Sequence, residues 1–287
     1  MNIREEGFRE EKILNQNIAP PVFADHALAR RLETAEARAS ASFIDARART
    51  GPPAGAERIE VAGAAAFFDG PASPLTQTFG LGMAGPVTEA DLDRIEVFFG
   101  ARGAPVYHEV SPLADAALPD LLAGRGYRPV EFTSVMYRPI QPDPGLEADA
   151  GWRVRLIEPG EEDAWAGLSA RGWSETPELA QFMLELGQVM AHRRDGLSFF
   201  AEWDGRPLAA GALFIHAGVA LLAGASTVPE ARRRGAQLAL LRARLALASA
   251  RGCDLAMMCA LPGSASQRNA ERHGFRIAYT RIKWGRR

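Results

Sequence analysis

In the second half of the chain the apolar positions switch between a two-residue and a three-to-four-residue period in a regular order. Residues 152–159 alternate, which predicts a half-buried strand. Residues 161–170 predict a helix with acids in its first turn. In 177–192, Leu179, Phe182, Met183, Leu186 and Met190 fall on one helical face. Two strands, 198–203 and 208–216, flank Asp204-Gly205, a hairpin turn signal. An apolar strand over 219–228, a helix over 236–250, a buried strand over 254–261, a short helix over 264–273 and a last strand over 275–284 complete the series. The predicted order is β-α-α-β-β-β-α-β-α-β.

The first half repeats the later landmarks. Gly126-Tyr127-Arg128 opens a strand running to Tyr137, as Gly274-Phe275-Arg276 opens one running to Trp284. Upstream, Gly103 precedes an apolar run over 104–110, as Gly252 precedes that over 254–261. The two pairs of landmarks are separated by nearly the same number of residues, which predicts an internal duplication. Between the halves, 141–151 reads QPDPGLEADAG, an aperiodic linker rich in proline, glycine and acids. The expected domains are therefore 1–140 and 152–287. At the start, Leu28, Leu32, Ala35, Ala39 and Phe43 recur at helical spacing within 23–49, predicting one or two helices lying on the first domain.

Composition narrows the function classes. With 47% hydrophobic and 24% charged residues, each half can build a globular core. A net charge of −2 gives no electrostatic footprint for nucleic acid. No apolar run has the length of a membrane span, and the acidic opening MNIREEGFRE is no secretory signal. Cys253 and Cys259 have neither metal-site nor disulfide-framework spacing. The expectation is a cytoplasmic protein without a metal, a nucleic-acid partner or a membrane partner.

The chemistry concentrates in VALLAGASTVPEARRRGAQLALL, residues 219–241. A strand ends near Val228, a loop carries Pro229 and the arginines Arg232, Arg233 and Arg234, and Gly235 opens a helix. A helix N-terminus presents unpaired N–H groups and partial positive charge, which suit a phosphate. Gly235 lets an anion approach the backbone, and the arginines add charge and forked donors. The other reading of the loop is a solvated basic connection.

In context the stretch resembles the GNAT acyltransferase superfamily, whose motif Arg/Gln-x-x-Gly-x-Gly/Ala is matched by Arg232-Arg233-Arg234-Gly235-Ala236-Gln237. SQRNAERHGFR, residues 266–276, is similar to the family's fourth helix and final turn. The resemblance spans 152–287. It implies a mixed α/β fold of two GNAT-like domains, each a central, mostly antiparallel mixed sheet flanked by helices, with a degenerate N-terminal copy. It also implies acetyl-CoA as co-substrate. The strands at 219–228 and 254–261 would splay, with the pantetheine arm against the backbone of Ser226, Thr227 and Val228. The pyrophosphate would sit on the amides of 232–237. Asn269 is a candidate either to orient the cofactor or simply to cap local backbone, and the Val228 amide is the candidate oxyanion donor. The acceptor would be a small-molecule or peptide amine.

Two departures stand out. Gln237 replaces Gly or Ala at the last motif position, and its side chain is expected to point away along the helix. The position of the family's usual general-acid tyrosine holds Ala270, and that of a frequent asparagine holds Gly263. Among bases, Glu202 on the hairpin is the candidate, against a simple surface role; His216 and Cys259 are weaker. Trp173 and Glu175, between the first two helices, are candidate acceptor contacts. In the first half the matching segment, 80–92, lacks arginines, and Thr88 with Asp91 predicts a capped helix; this half is expected not to bind acyl-CoA, and to offer an acceptor wall or a packing surface instead. Two function classes follow: an N-acyltransferase, or an acyl-CoA-binding sensor that catalyses nothing.

Overall fold

The computed structural model describes residues 22–50, 55–141 and 151–286. The first half forms α1 (His26–Thr50), β1 (Glu57–Val61), β2 (Ala64–Phe68), β3 (Gln77–Phe79), α2 (Glu89–Gly100), β4 (Val106–Val110), α3 (Leu118–Gly124) and β5 (Arg128–Pro139). The second forms β6 (Trp152–Leu156), α4 (Glu162–Arg171), α5 (Pro177–Ala191), β7 (Gly196–Trp203), β8 (Arg206–His216), β9 (Val219–Thr227), α6 (Ala236–Ala250), β10 (Leu255–Ala260), α7 (Ala265–Arg272) and β11 (Arg276–Arg286). A single 3-10 turn, Pro229–Ala231, links β9 to α6. The predicted element order of the second half is observed, with boundaries shifted by a few residues at most. The linker expected at 141–151 falls mostly outside the described residues.

The series β-β-β-α-β-α-β occurs twice, once from β1 to β5 and once from β7 to β11. The two copies do not build separate sheets. All the described strands belong to one sheet, in the order β1-β2-β3-β4-β11-β5-β10-β9-β8-β7-β6. Each half has handed its last strand to the other. β5 pairs with β10 along the whole of Leu255–Ala260, and β11 pairs with β4 from Ile282 to Arg286. β5 and β11 also pair with each other, antiparallel, at the centre. The sequence expectation of two self-contained sheets missed this exchange. A buried strand's pattern shows that it is covered, not by which neighbours.

The core follows the exchange. Trp284 of β11 packs with Leu92, Phe99 and Tyr127 of the first half. Met136 of β5 joins Trp165, Phe200 and Leu240 of the second. α1 is one continuous helix, and it lies across both halves. Its Leu28, Leu32 and Ala35 pack with Val135 of β5, Leu221 of β9 and Met257 of β10. The expectation that this segment rests on the first domain alone is thus corrected. Its apolar stripe is long enough to cover the seam at the sheet centre.

Beneath α1 lies a buried ionic network. The Arg281 guanidinium donates to Glu36 (2.7 and 3.0 Å) and to Glu109 (3.0 Å), with Glu33 at 3.4 Å. Tyr279 donates to Glu33 at 2.7 Å, and Lys283 stands 3.2 Å from Glu109. Three segments far apart in the chain thus meet at one guanidinium.

Candidate functional site: a splayed sheet opening onto a helix N-terminus

β9 and β10 run parallel but pair only over Val219–Leu221 against Leu255–Met257. Beyond that point the strands part. On its other edge β9 stays joined to β8, with one register break: Ala212 faces Ala223 and Ala210 faces Ser226, so Gly224 and Ala225 together oppose Gly211. This β-bulge bends the strand away from β10. Gly224 adopts φ +59, a left-handed conformation that a glycine takes without steric penalty. Arg244 of α6 fills the space inside the bend, donating to the carbonyls of Ala212 and Ala223 at 3.2 and 3.3 Å. It is buried without a carboxylate partner among the described contacts, and burial pulls its pKa down to about 10.

The loop after β9 aims a helix at the gap. Gly235 is the N-cap of α6 with φ +87, and Arg233 is also left-handed, with φ +62. Together they turn the chain sharply into the helix. The first bond back along α6 is Ala239 N–H to the Gly235 carbonyl, at 3.0 Å. The amides of Ala236, Gln237 and Leu238 therefore have no acceptor within the helix. The far side of the loop is pinned. Trp152 donates its indole N–H to the Arg234 carbonyl at 2.6 Å, and the Arg234 guanidinium lies 4.7 Å from the Trp203 ring centroid. Strand β6 thus serves to hold the loop.

Two connected spaces flank this point. One, of about 600 Å3, lies along the loop and the start of α6 and is bounded by Thr227, Arg233, Gly235 and Ala236. The other, of about 460 Å3, runs through the splay to the opposite face of the sheet. Trp173, Ala225, Gln237 and Asn269 border both. Ser226, Arg232, Gln237 and Asn269, all anticipated from the sequence, are brought together on the first space.

Several assignments need correction. The Val228 amide is already donated to the Leu208 carbonyl at 3.1 Å, so it is not free for an oxyanion. By the alternation of an antiparallel pair, the Thr227 amide, between Ser226 and Val228, instead faces the open edge. Glu202 lies off both spaces, held by Arg155 at 2.8 Å. His216 closes the hairpin at the far end of β8. The Gln237 amide does not point along α6. It turns back and donates to Thr227 Oγ at 2.8 Å, tying the helix to the strand. Arg234 turns away from the cleft, onto Trp203. Glu175 pairs with Arg232 at 2.7 Å on the loop side, and Arg232 also grips the Gly172 carbonyl at 2.8 Å. Only Trp173 of that pair also reaches the second space.

The sequence reading missed Glu36. It projects from α1 into the second space, where it is the sole lining carboxylate among the described residues. Burial pushes its pKa up, but the Arg281 guanidinium outweighs this and holds it below the usual carboxylate range. The neighbouring Cys259 thiol, 3.3 Å away, is driven well above its ordinary pKa by burial and by that carboxylate. Cys259 is therefore a neutral wall, not a nucleophile. A signal was present in the sequence: Glu33 and Glu36 interrupt the apolar stripe of α1, and acids on a buried face demand a partner.

In the first half the corresponding helix N-terminus, among the described residues, is closed by side chains. Thr88 Oγ accepts from Asp91 N–H at 3.2 Å and Asp91 accepts from Thr88 N–H at 3.0 Å. This capping box closes the N-terminus of α2. Among the described residues, no helix is long and apolar enough to cross a membrane.

Comparison with known proteins agrees with this geometry. Residues 162–275 match the model of the acetyltransferase (GNAT) family. A GCN5-related N-acetyltransferase from Kribbella flavida shares the fold at 21% identity, covering 87% of this chain and 94% of its own, with a TM-score of 0.59. A tandem GNAT protein from the clavulanic acid biosynthesis pathway covers 93% of this chain and 97% of its own, at 13% identity and a TM-score of 0.56. A GCN5-related N-acetyltransferase from Sphaerobacter thermophilus covers 73% and 71%, at 20% identity and 0.54. No match was found among curated proteins. With the splay, the bulge and the glycine-capped helix inside the matched segment, residues 162–275 match the GNAT family and sit in a chain with the tandem GNAT fold.

Proposed function

We propose that the protein is an acyl-CoA-dependent N-acyltransferase that moves an acetyl group from acetyl-CoA to a primary amine. The observation that carries this is the splay of β9 from β10 beside the uncapped amides of Ala236–Leu238. An open strand edge suits the amides of a pantetheine arm, and free helix N–H groups suit a pyrophosphate. Arg233, exposed beside them, adds a cation. The Thr227 amide supplies an oxyanion donor. Holding thioester and amine on the two faces of one gap contributes rate through proximity. In the same reading, 1–140 is a degenerate repeat that binds no acyl-CoA, and 152–287 is the catalytic repeat.

The buried Ala270, where the family's tyrosine is expected, keeps the sensor reading in play. Release of free thiol in the presence of an amine panel separates the two.

Titration with acetyl-CoA tests the site itself. Gly235→Glu places bulk and charge at the loop, but every side chain is strained at φ +87. Arg233→Glu is the cleaner variant, since that residue is already non-glycine at positive φ. Loss of one charge-assisted phosphate contact is worth about 1.5–3 kcal/mol, so affinity should fall by roughly ten- to hundredfold with the melting temperature unchanged. Equal binding by wild type and variant would remove the loop from the site.

A further inference from the structure

The second space has a polarity that the acyltransferase reading does not itself specify. On the α1 side it is lined by Glu36, Ala39, Ser40 and Phe43. These residues recur every three to four positions and form one face of the helix over about two turns, roughly 10 Å. Leu75 lies beside Phe43 at the outer end, and Met183, Leu186 and Met190 of α5 form the opposite wall. Glu36 lies at the inner end. Its neighbour Cys259 is two residues beyond the last paired position of β10, at the mouth of the splay.

The result is an apolar slot with one carboxylate at the end nearest the gap. Arg281 occupies two of the acceptor directions of Glu36, and Cys259 a third. A carboxylate has about four such directions, so one remains for a ligand. Arg281 is shared among Glu36, Glu33 and Glu109, with Lys283 beside Glu109, so it does not belong to Glu36 alone. Two cations also line the space: Arg244, held on the carbonyls of Ala212 and Ala223 at 3.2 and 3.3 Å, and Arg193, stacked 4.8 Å from the Phe214 centroid and bonded to Ser42 at 3.2 Å. Arg193 is turned to α1 and β8, away from the inner end.

We infer that Glu36, supplied by the first half, is the acceptor-recognising residue, and that the acceptor is a primary ammonium on an uncharged apolar body about 10 Å long, such as an arylalkylamine. This rests on the acyltransferase reading for the direction in which the amine faces. Polyamines fit less well, because among the described residues the slot offers no second carboxylate.

The test uses the full chain and 4-phenylbutylamine, with 4-phenylbutanol and spermidine as comparators, followed by calorimetry with and without acetyl-CoA. The amine should bind more tightly than the alcohol or spermidine. Glu36→Gln should weaken amine binding at least tenfold, raise KM for the amine more than it lowers kcat, and leave acetyl-CoA affinity unchanged. Ser40→Phe narrows the slot without touching the ion network. It should exclude 4-phenylbutylamine and retain n-butylamine. Equal amine affinity in wild type and folded Glu36→Gln, a preference for spermidine, or no amine binding at all would overturn the inference. Amine binding that depends on Glu36 in a protein that fails to bind acetyl-CoA would sink the acyltransferase reading alone.

Discussion

A fragment comprising residues 151–287 will not fold by itself. In the intact chain β5 lies between β10 and β11, and no other described strand joins those two. Without it, β10 keeps only its short pairing with β9, and β11 loses both neighbours. Met136 leaves the core of the second half, and α1 leaves the face over β9 and β10. A sheet edge stripped this way is a template for aggregation. The stability of a domain is only about 5–15 kcal/mol, less than the loss of two strands and a covering helix removes. The expected outcome is an insoluble or collapsed fragment with no cooperative melting transition. Co-expression with residues 1–141 should restore a soluble, stoichiometric complex. A fragment that melts cooperatively and binds acetyl-CoA like the whole chain would mean that the two repeats are independent after all, as the sequence alone suggests.

Replacing Arg281 by methionine should produce the largest single-residue loss of stability. The guanidinium is 3% exposed and neutralises Glu33 and Glu109, which are 2% and 4% exposed, as well as Glu36. Removing one partner of a buried pair typically costs about 3–5 kcal/mol, because the other charge stays behind. For a chain of this size each kcal/mol lowers the melting temperature by about 2–4 °C, so a drop on the order of 6–20 °C is expected.

The pH dependence has a definite sign. In the native protein burial raises the Glu33 pKa despite Arg281, while Arg281 holds Glu36 low. Glu36 thus contributes stability above its unfolded pKa, which is lost as pH falls through its lower folded value. In Arg281→Met that support is gone, and burial raises Glu33 and Glu36. The folded variant then binds more protons than the unfolded chain, so its stability falls as pH rises. The gap between wild type and variant should narrow as pH is lowered from 8 to 5. A variant with the wild-type melting temperature, or a gap that widens on acidification, would contradict this account of the network.

Local signals were strong enough to reveal most elements. Ala236–Ala250 was legible from its helical period and from Gly235 before it. The hairpin at Asp204-Gly205 and the capping box at Thr88 and Asp91 were legible for the same reason: their geometry is set by neighbouring residues. The phosphate-loop candidate belongs to this class, since strand, turn and helix N-terminus are adjacent in the chain.

What depended on distant residues was not legible. The strand at Arg276–Arg286 could be recognised, but its place between β4 and β5 could not, because its apolar pattern fits any covered position in a sheet. The donor directions on β9 turned on a one-residue bulge that reverses which edge each amide faces. That bulge placed Val228 against Leu208 and left Thr227 open. Glu36 lies in the opposite half of the sequence from the motif at 232–237. Only the exchange of β5 and β11, with α1 laid across the seam, brings its carboxylate to the mouth of the splay. Sequence thus determined the elements and the loop, through local backbone and capping energetics. Tertiary structure decided the shared sheet, the amide directions on β9 and the placing of Glu36 in the slot, because those arise from pairing and burial between segments far apart along the chain.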